Sequence, residues 1–164
     1  MIYTIKEKFW SFGDHFTIRD EAGNECFYVK GKAFSWGGNL TLTSISGKPL
    51  ADISRKRFSF RTKYEIYREG NLFAEVRKEF AWFKSKFTLD VSGPNDYSIQ
   101  GSFWDHEFTF NREGRTVAKI SKSSWGWSDQ YGIDINDEED HISILATCII
   151  IDQVLDDQNR TNSD

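Results

Sequence analysis

One pattern constrains this chain more than any other. A nine-residue cell recurs, built from two apolar residues one apart, three turn residues, and two more apolar residues one apart. It runs as Trp10-Ser11-Phe12, Gly13-Asp14-His15, Phe16-Thr17-Ile18, and returns as Phe34-Ser35-Trp36, Gly37-Gly38-Asn39, Leu40-Thr41-Leu42. Further copies occupy 58–66, 81–89, 102–110 and 125–133, with starts 21 to 24 residues apart. Alternation at period two, with Ser, Thr, Glu or Gly between the apolar positions, reads as a hairpin with one buried face and one wet face. Between cells lies a second kind of turn, each carrying a glycine: Gly23, Gly47, Gly70, Gly93 and Gly114. Glycine supplies the positive φ that tight connections need. Six turns at one end and five at the other predict twelve strands in an up-and-down meander. Closing that meander into a barrel removes its exposed edges.

A barrel of that width is too wide for its own side chains to fill. The period-two pattern stops after Ile135, and the following segment supplies an occupant. Asn136 or Asp137 is placed to cap a helix, and the carboxylates after them suit the positive end of its dipole. Ile142, Ile144, Leu145, Ala146, Cys148, Ile149, Ile150, Ile151, Val154 and Leu155 then cover nearly the whole circumference. A helix that is apolar all round must be buried on every side. The expectation is a mainly β fold, a twelve-stranded antiparallel closed barrel around a central hydrophobic C-terminal α-helix. One domain spans 1–155, and 156–164 reads as a polar disordered tail.

Composition supports one domain and narrows its partners. The chain has 164 residues, and 21 Lys+Arg against 25 Asp+Glu leave a net charge of −4, which argues against a nucleic-acid binder. With 14 Phe, 6 Trp and 6 Tyr the chain carries too many large rings for a disordered protein. Cys26 and Cys148 sit in apolar surroundings and read as small buried hydrophobes of a reducing compartment. The first residues lack the apolar core of a secretory signal. The longest apolar tract, 142–155, is interrupted by Ser143, Thr147, Asp152 and Gln153 and falls short of the ~20 residues that cross a bilayer. The expected setting is cytoplasmic, with peripheral contact to a membrane.

With these features in hand, the sequence resembles the LURP-one-related family. That family belongs to the tubby C-terminal-like superfamily, alongside the phospholipid scramblases. The residues carrying the resemblance are Ile5-Lys6-Glu7-Lys8-Phe9, Gly13-Asp14-His15-Phe16-Thr17-Ile18, Phe73-Ala74-Glu75-Val76-Arg77-Lys78 and Asp137-Glu138-Glu139-Asp140, and the likeness covers 1–155. It implies a twelve-stranded barrel around a central C-terminal helix. It also implies relatives that bind phosphoinositides or act at membranes, and plant members associated with defence responses. No stretch here matches the tubby lipid-binding motif, so no ligand residue is carried over. The membrane-spanning helix of the scramblases corresponds to 141–155, where acidic and polar residues argue against a span.

Three candidate sites follow. Arg61 and Lys63 are expected in the turn of the third cell, and Lys84 and Lys86 in that of the fourth. Adjacent hairpins bring these four cations to one end of the barrel, with Arg57 near, as a rim for a phosphate or lipid headgroup. Trp82 and Phe103 occupy positions where other cells carry Ser or Gly. Either they face outward, where they suit a membrane interface or a protein partner, or Phe80/Trp82 and Gly101/Phe103 continue the inward phase of the preceding strand. The other copies need a bulge, as between Ile53 and Phe58. The acidic run 134–140 offers oxygen ligands, but it lacks the glycine and spacing of a calcium loop, and capping explains it.

Enzyme signatures are wanting. His15, His106 and His141 are scattered, and Asp105-His106-Glu107 reads as a polar hairpin tip. The expected function is a non-enzymatic module that binds anionic lipid or a membrane surface, with no cofactor and no metal. The alternative is a protein-interaction scaffold.

Overall fold

The computed structural model describes residues 1–6, 15–31, 38–58, 61–79, 85–91, 96–102, 107–122 and 130–161. Strands β1 (Ile2–Lys6), β2 (His15–Asp20), β3 (Glu25–Gly31) and β4 (Asn39–Ser44) lead into β5 (Pro49–Phe58), β6 (Arg61–Arg68), β7 (Asn71–Glu79) and β8 (Ser85–Val91). Strands β9 (Tyr97–Ser102), β10 (Glu107–Arg112), β11 (Arg115–Lys122) and β12 (Gln130–Ile135) complete the wall, and helix α1 (His141–Thr161) follows. Every strand pairs antiparallel with its neighbours in sequence, and β1 pairs with β12, so the barrel is closed. Closure leaves no strand edge to recruit another chain. The connection from β12 to α1 and the turns after β2, β4, β6, β8 and β10 share one end, here the floor. The remaining connections share the other end, the rim.

The inner face follows the alternation read from sequence. The second arm of each cell lies in a strand, and its apolar positions point inward: Ile18, Leu40, Leu42, Ile66, Leu89, Phe110 and Ile133 are at most 1% exposed. Helix α1 fills the bore. Every residue from Ser143 to Ile151 is buried, which is more than two full turns with no exposed face. Full burial of each of its isoleucines contributes roughly 1.5–3 kcal/mol. The buried Thr147 hydroxyl donates to the Ser143 carbonyl at 2.7 Å, so its polarity is satisfied within the helix. The helix lies nearest β5, β6 and β7.

Four details differ from the reading of the sequence. The helix cap is Asp140, not Asn136 or Asp137: its carboxylate accepts from the Ser143 backbone at 3.3 Å and from the Ser143 hydroxyl at 2.8 Å. The backbone helix continues past Leu155 to Thr161, into the polar segment expected to be a disordered tail.

Bulges account for the other two. Cys26, Leu50, Phe73 and Val117 are each the extra residue of a register shift near the floor, and each stands three residues after a turn glycine. An inserted residue of this kind sharpens twist and bends a strand, which helps a wall of strands curl into a ring. Conversely, the bulge expected between Ile53 and Phe58 does not exist. The pairing of β5 with β6 runs unbroken from Asp52↔Tyr67 to Phe58↔Arg61.

Two positions show why glycine is needed. At Glu69-Gly70 and Glu113-Gly114 both central turn residues have positive φ (50° and 80°, 51° and 76°), the conformation of a two-residue hairpin whose twist matches its strands. At Gly101 a side chain would strike the Glu107 carbonyl and the Phe108 ring. That close approach lets Phe108 meet Phe87 edge-on, with ring centroids 6.2 Å apart.

Candidate functional site

The unbroken pairing of β5 with β6 relocates the predicted cations. Because Phe58 already pairs with Arg61, Arg61 and Lys63 belong to strand β6 and not to a turn. Lys86 likewise belongs to β8, opposite Glu79. Lys86 is exposed at the rim. The side chains of Arg57 and Arg61 lie outside the described residues, as do Lys84, Trp82 and Phe103 altogether.

Lys63 lies on the outer wall in a dense polar network. Its ammonium donates to Glu75 at 2.8 Å and stands 3.0 Å from Glu65. Glu65 is 7% exposed although it faces outward, because Lys63, Lys56 (3.7 Å) and the Tyr67 hydroxyl (2.5 Å) close over it. Burial pushes the Glu65 carboxyl up, but the Tyr67 hydroxyl and Lys63 outweigh it and hold the group below its ordinary value. Glu75 is held low by Lys63 and by Arg77, whose guanidinium donates at 2.5 Å. The same two carboxylates raise the Lys63 ammonium above its ordinary value. Lys56, Lys63, Glu65 and Glu75 together brace three strands, β5 to β7, through their outer side chains.

The phase of β5 sends one cation the other way. Ile53 is fully buried, and Arg55, two residues on, shares its inner phase and stacks its guanidinium 5.8 Å from the centre of the buried Tyr64 ring. On β7, Val76 is inward, so Lys78 is inward too, in register with the buried Phe87. Lys78 reaches solvent at its tip, yet burial along its length holds the ammonium below its ordinary value. Neither residue stood among the rim candidates. The signal was present in the sequence: strict alternation from Ile53 gives Arg55, and from Ala74 and Val76 gives Lys78.

The floor handles charge differently. Arg68 pairs with the cap Asp140 at 2.5 Å and reaches the Ser143 hydroxyl at 3.3 Å, while its guanidinium lies 4.2 Å from the centre of the Phe73 ring. Arg112 pairs with Glu139 at 2.8 Å, and Glu139 also accepts from the Tyr97 hydroxyl at 2.8 Å. Burial first, and then this bond to Glu139, push the Tyr97 hydroxyl up to about 12. His141 opens the helix with both ring nitrogens engaged, Nδ1 with the Tyr3 hydroxyl at 2.9 Å and Nε2 with the Asn136 carbonyl at 3.1 Å. A carbonyl only accepts, so Nε2 carries a proton that it donates to Asn136. Asp140 and Glu139 of the acidic run thus anchor α1. No group of three or more potential metal ligands gathers among the described residues.

The two ends consequently differ in sign. Among the described residues, Lys30, Arg55, Lys56, Lys63, Arg77, Lys78 and Lys86 stand in the rim half, against Glu79 and Glu107 near its lip. Asp20, Glu21, Glu69, Asp96, Glu113 and 137–140 stand at the floor, where Arg19, Arg68 and Arg112 are taken up by carboxylates and Lys48 and Arg115 are exposed.

These features define a class before they define a family: a tubby C-terminal-like barrel, closed by twelve strands and filled by its own C-terminal helix. The chain belongs to the LURP-one-related family, which it matches over residues 1–152. It is 37% identical over 151 residues to the Bacillus subtilis (strain 168) protein named "Uncharacterized protein YxjI", covering 92% of this chain and 91% of that one. The X-ray structure of an Arabidopsis thaliana protein, AT5G01750, shares the fold with a TM-score of 0.67 at 18% identity, over 96% of this chain and 90% of that one. No helix among the described residues is long and apolar enough to cross a membrane.

Proposed function

We propose that this protein is a non-enzymatic module that docks peripherally on an anionic membrane surface, rim first. The observation that supports the reading is the separation of charge along the barrel axis. Positive side chains project at the rim, including exposed Lys30, Lys78 and Lys86, while carboxylates collect at the floor. An axial charge separation of this kind orients a nearly neutral molecule in the field of an anionic surface, and each lysine near that surface contributes about 1 kcal/mol. Filling of the bore by α1 limits exchange with other molecules to the outer wall and the two ends. Arg61 and Lys84 extend the same rim in this reading, and Trp82 and Phe103 supply rings for the interface.

The test is co-sedimentation with phosphatidylcholine vesicles, with and without phosphatidylserine, across a salt series. Binding is expected only with the anionic lipid, weakening as salt rises, and Lys84→Glu with Lys86→Glu is expected to abolish it. Failure to bind at low salt, or binding that survives the double charge reversal, overturns the rim. A lysate pull-down recovering one stoichiometric partner would then favour the scaffold.

A further inference from the structure

We propose that the membrane contact of the rim is strengthened by a proton taken up at His15, which with Lys30 then forms a two-cation contact for a lipid phosphate. The inference rests on the anionic-surface reading of the rim and adds to it a dependence on pH.

Alternation and register place the pair. Phe16 and the fully buried Ile18 take the inward phase of β2, so His15 and Thr17 face outward at its rim end. Buried Val29 likewise turns Lys30 outward on β3. His15 pairs with Lys30, and Thr17 with Tyr28. Residues directly opposite on one face have Cβ atoms about 5 Å apart, so the imidazole and the ammonium are neighbours. Both side chains are exposed.

The surroundings leave this pair open to a ligand from beyond the rim. Toward the floor, the next outward residues on the two strands are Thr17 and Tyr28. Among the described residues, the carboxylates nearest on this face are Glu25 and Asp52, and both are engaged. Glu25 lies four residues along from His15, about 13 Å, and is held by Arg19 at 2.7 Å and by the Tyr28 hydroxyl at 2.6 Å. Asp52 lies beyond β4, where Thr41 stands between it and Lys30 and donates to it at 2.6 Å. On the other flank β1 ends at Lys6, and α1 lies inside the bore, behind this face.

Histidine is the side chain whose charge ordinarily changes between pH 5 and 8. With a neutral imidazole the pair carries one positive charge. Once a proton from solvent joins the ring it carries two, and both groups donate charge-assisted hydrogen bonds. A phosphodiester headgroup offers two free oxygens, one for each cation. Like charges opposite each other repel, and the bound phosphate offsets that repulsion. Protonation and surface contact therefore favour each other, and linkage makes the coupling reciprocal. His141 cannot take this role, because it sits at the floor, bonded to Tyr3 and Asn136.

The test measures binding of full-length protein to phosphatidylcholine vesicles containing phosphatidylglycerol, whose charge is constant from pH 5.5 to 7.5, at fixed low salt. Affinity is expected to rise about fivefold from pH 7.5 to 5.5, the effect of one added charge worth ~1 kcal/mol near the surface. His15→Gln should keep the affinity seen at pH 7.5 and lose the rise. His15→Lys should bind at pH 7.5 as tightly as the parent does at pH 5.5. Calorimetry at pH 6.5 in two buffers of different ionisation enthalpy should record proton uptake on binding by the parent and none by His15→Gln.

A rise with acid that His15→Gln retains, or equal binding at the two pH values, overturns the switch and leaves the rim standing. Unchanged affinity of Lys30→Gln at both pH values overturns the paired contact. Absence of binding at either pH overturns the rim and the switch together.

Discussion

At the floor, Arg19, Arg68 and Arg112 each meet a carboxylate within 2.8 Å, whereas at the rim Lys30, Lys78 and Lys86 reach solvent, with no ion pair among the described residues. The floor carboxylates also do structural duty: Asp140 caps α1, and Glu139 holds Arg112 and Tyr97 beside it. Lys30, Lys78 and Lys86 hold no element in place among the described residues, unlike Lys63 lower in the rim half, which ties β6 to β7. The paired charges at the floor therefore contribute to folding, and the exposed lysines at the lip of the rim are available to something else. Substitutions at the two ends should separate stability from binding.

The strongest disturbance lies on the rod that joins the ends. Ile149→Asp puts a carboxylate where the wall closes on every side, and it is expected to abolish cooperative melting followed by circular dichroism. A soluble, sharply melting Ile149→Asp protein would break the comparison at its root. Asp140→Ala should rank next, at about 2 kcal/mol in urea denaturation, because it removes a helix cap and leaves Arg68 without its carboxylate. A loss at the floor no larger than that at the rim would show that the two ends do not differ in this way.

Acid and alkali sharpen the picture further. Glu65 and Glu75 have folded-state values below the ordinary 4.5, so their stabilisation is complete above that value and is lost as pH falls below it, through the lowered folded-state values. Glu65→Gln with Glu75→Gln should flatten the acid limb of a pH–stability curve. Tyr97 is shifted the other way, from 10.0 to about 12. Its contribution is intact below pH 10 and declines between 10 and 12, because the unfolded chain loses that proton first. Tyr97→Phe should remove this alkaline decline. The smallest effect belongs to Lys86→Gln, which should leave stability within about 0.5 kcal/mol of the parent while weakening any anionic surface contact.

Much of this architecture is legible in the sequence, because burial on one face of a strand enforces alternation. Ile18, Leu40, Leu42, Ile66 and Leu89 announce their strands directly, and 141–155 announces an occupant for the bore. The bulges are hidden for a physical reason. Leu50-Ala51, Phe73-Ala74 and Val117-Ala118 place an extra apolar residue beside an inward alanine, and two adjacent apolar residues carry no record of which one interrupts the phase. The helix cap was misassigned because 136–140 offers several capping side chains in succession, and the choice depends on Arg68, far away in sequence. A bulge expected between Ile53 and Phe58 hides the inward face of Arg55, whereas Lys78 follows from plain alternation after Val76 and carries no apolar signal of its own. Trp82, Phe103 and Lys84 lie outside the described residues, so the candidate site is defined here by Lys63, Lys86, Arg55 and Lys78.

The seating of α1 has a consequence for how the protein is made. A ring of strands closed around an occupied centre leaves no gap through which a bulky rod could later be threaded. The helix must already be in position when the first strand meets the twelfth. During synthesis, the segments that emerge from the ribosome early can form hairpins, but they have nothing to wrap around until the final stretch arrives. Completion is therefore a single late event, and a nascent chain stalled before α1 would present an unfinished sheet to chaperones and proteases.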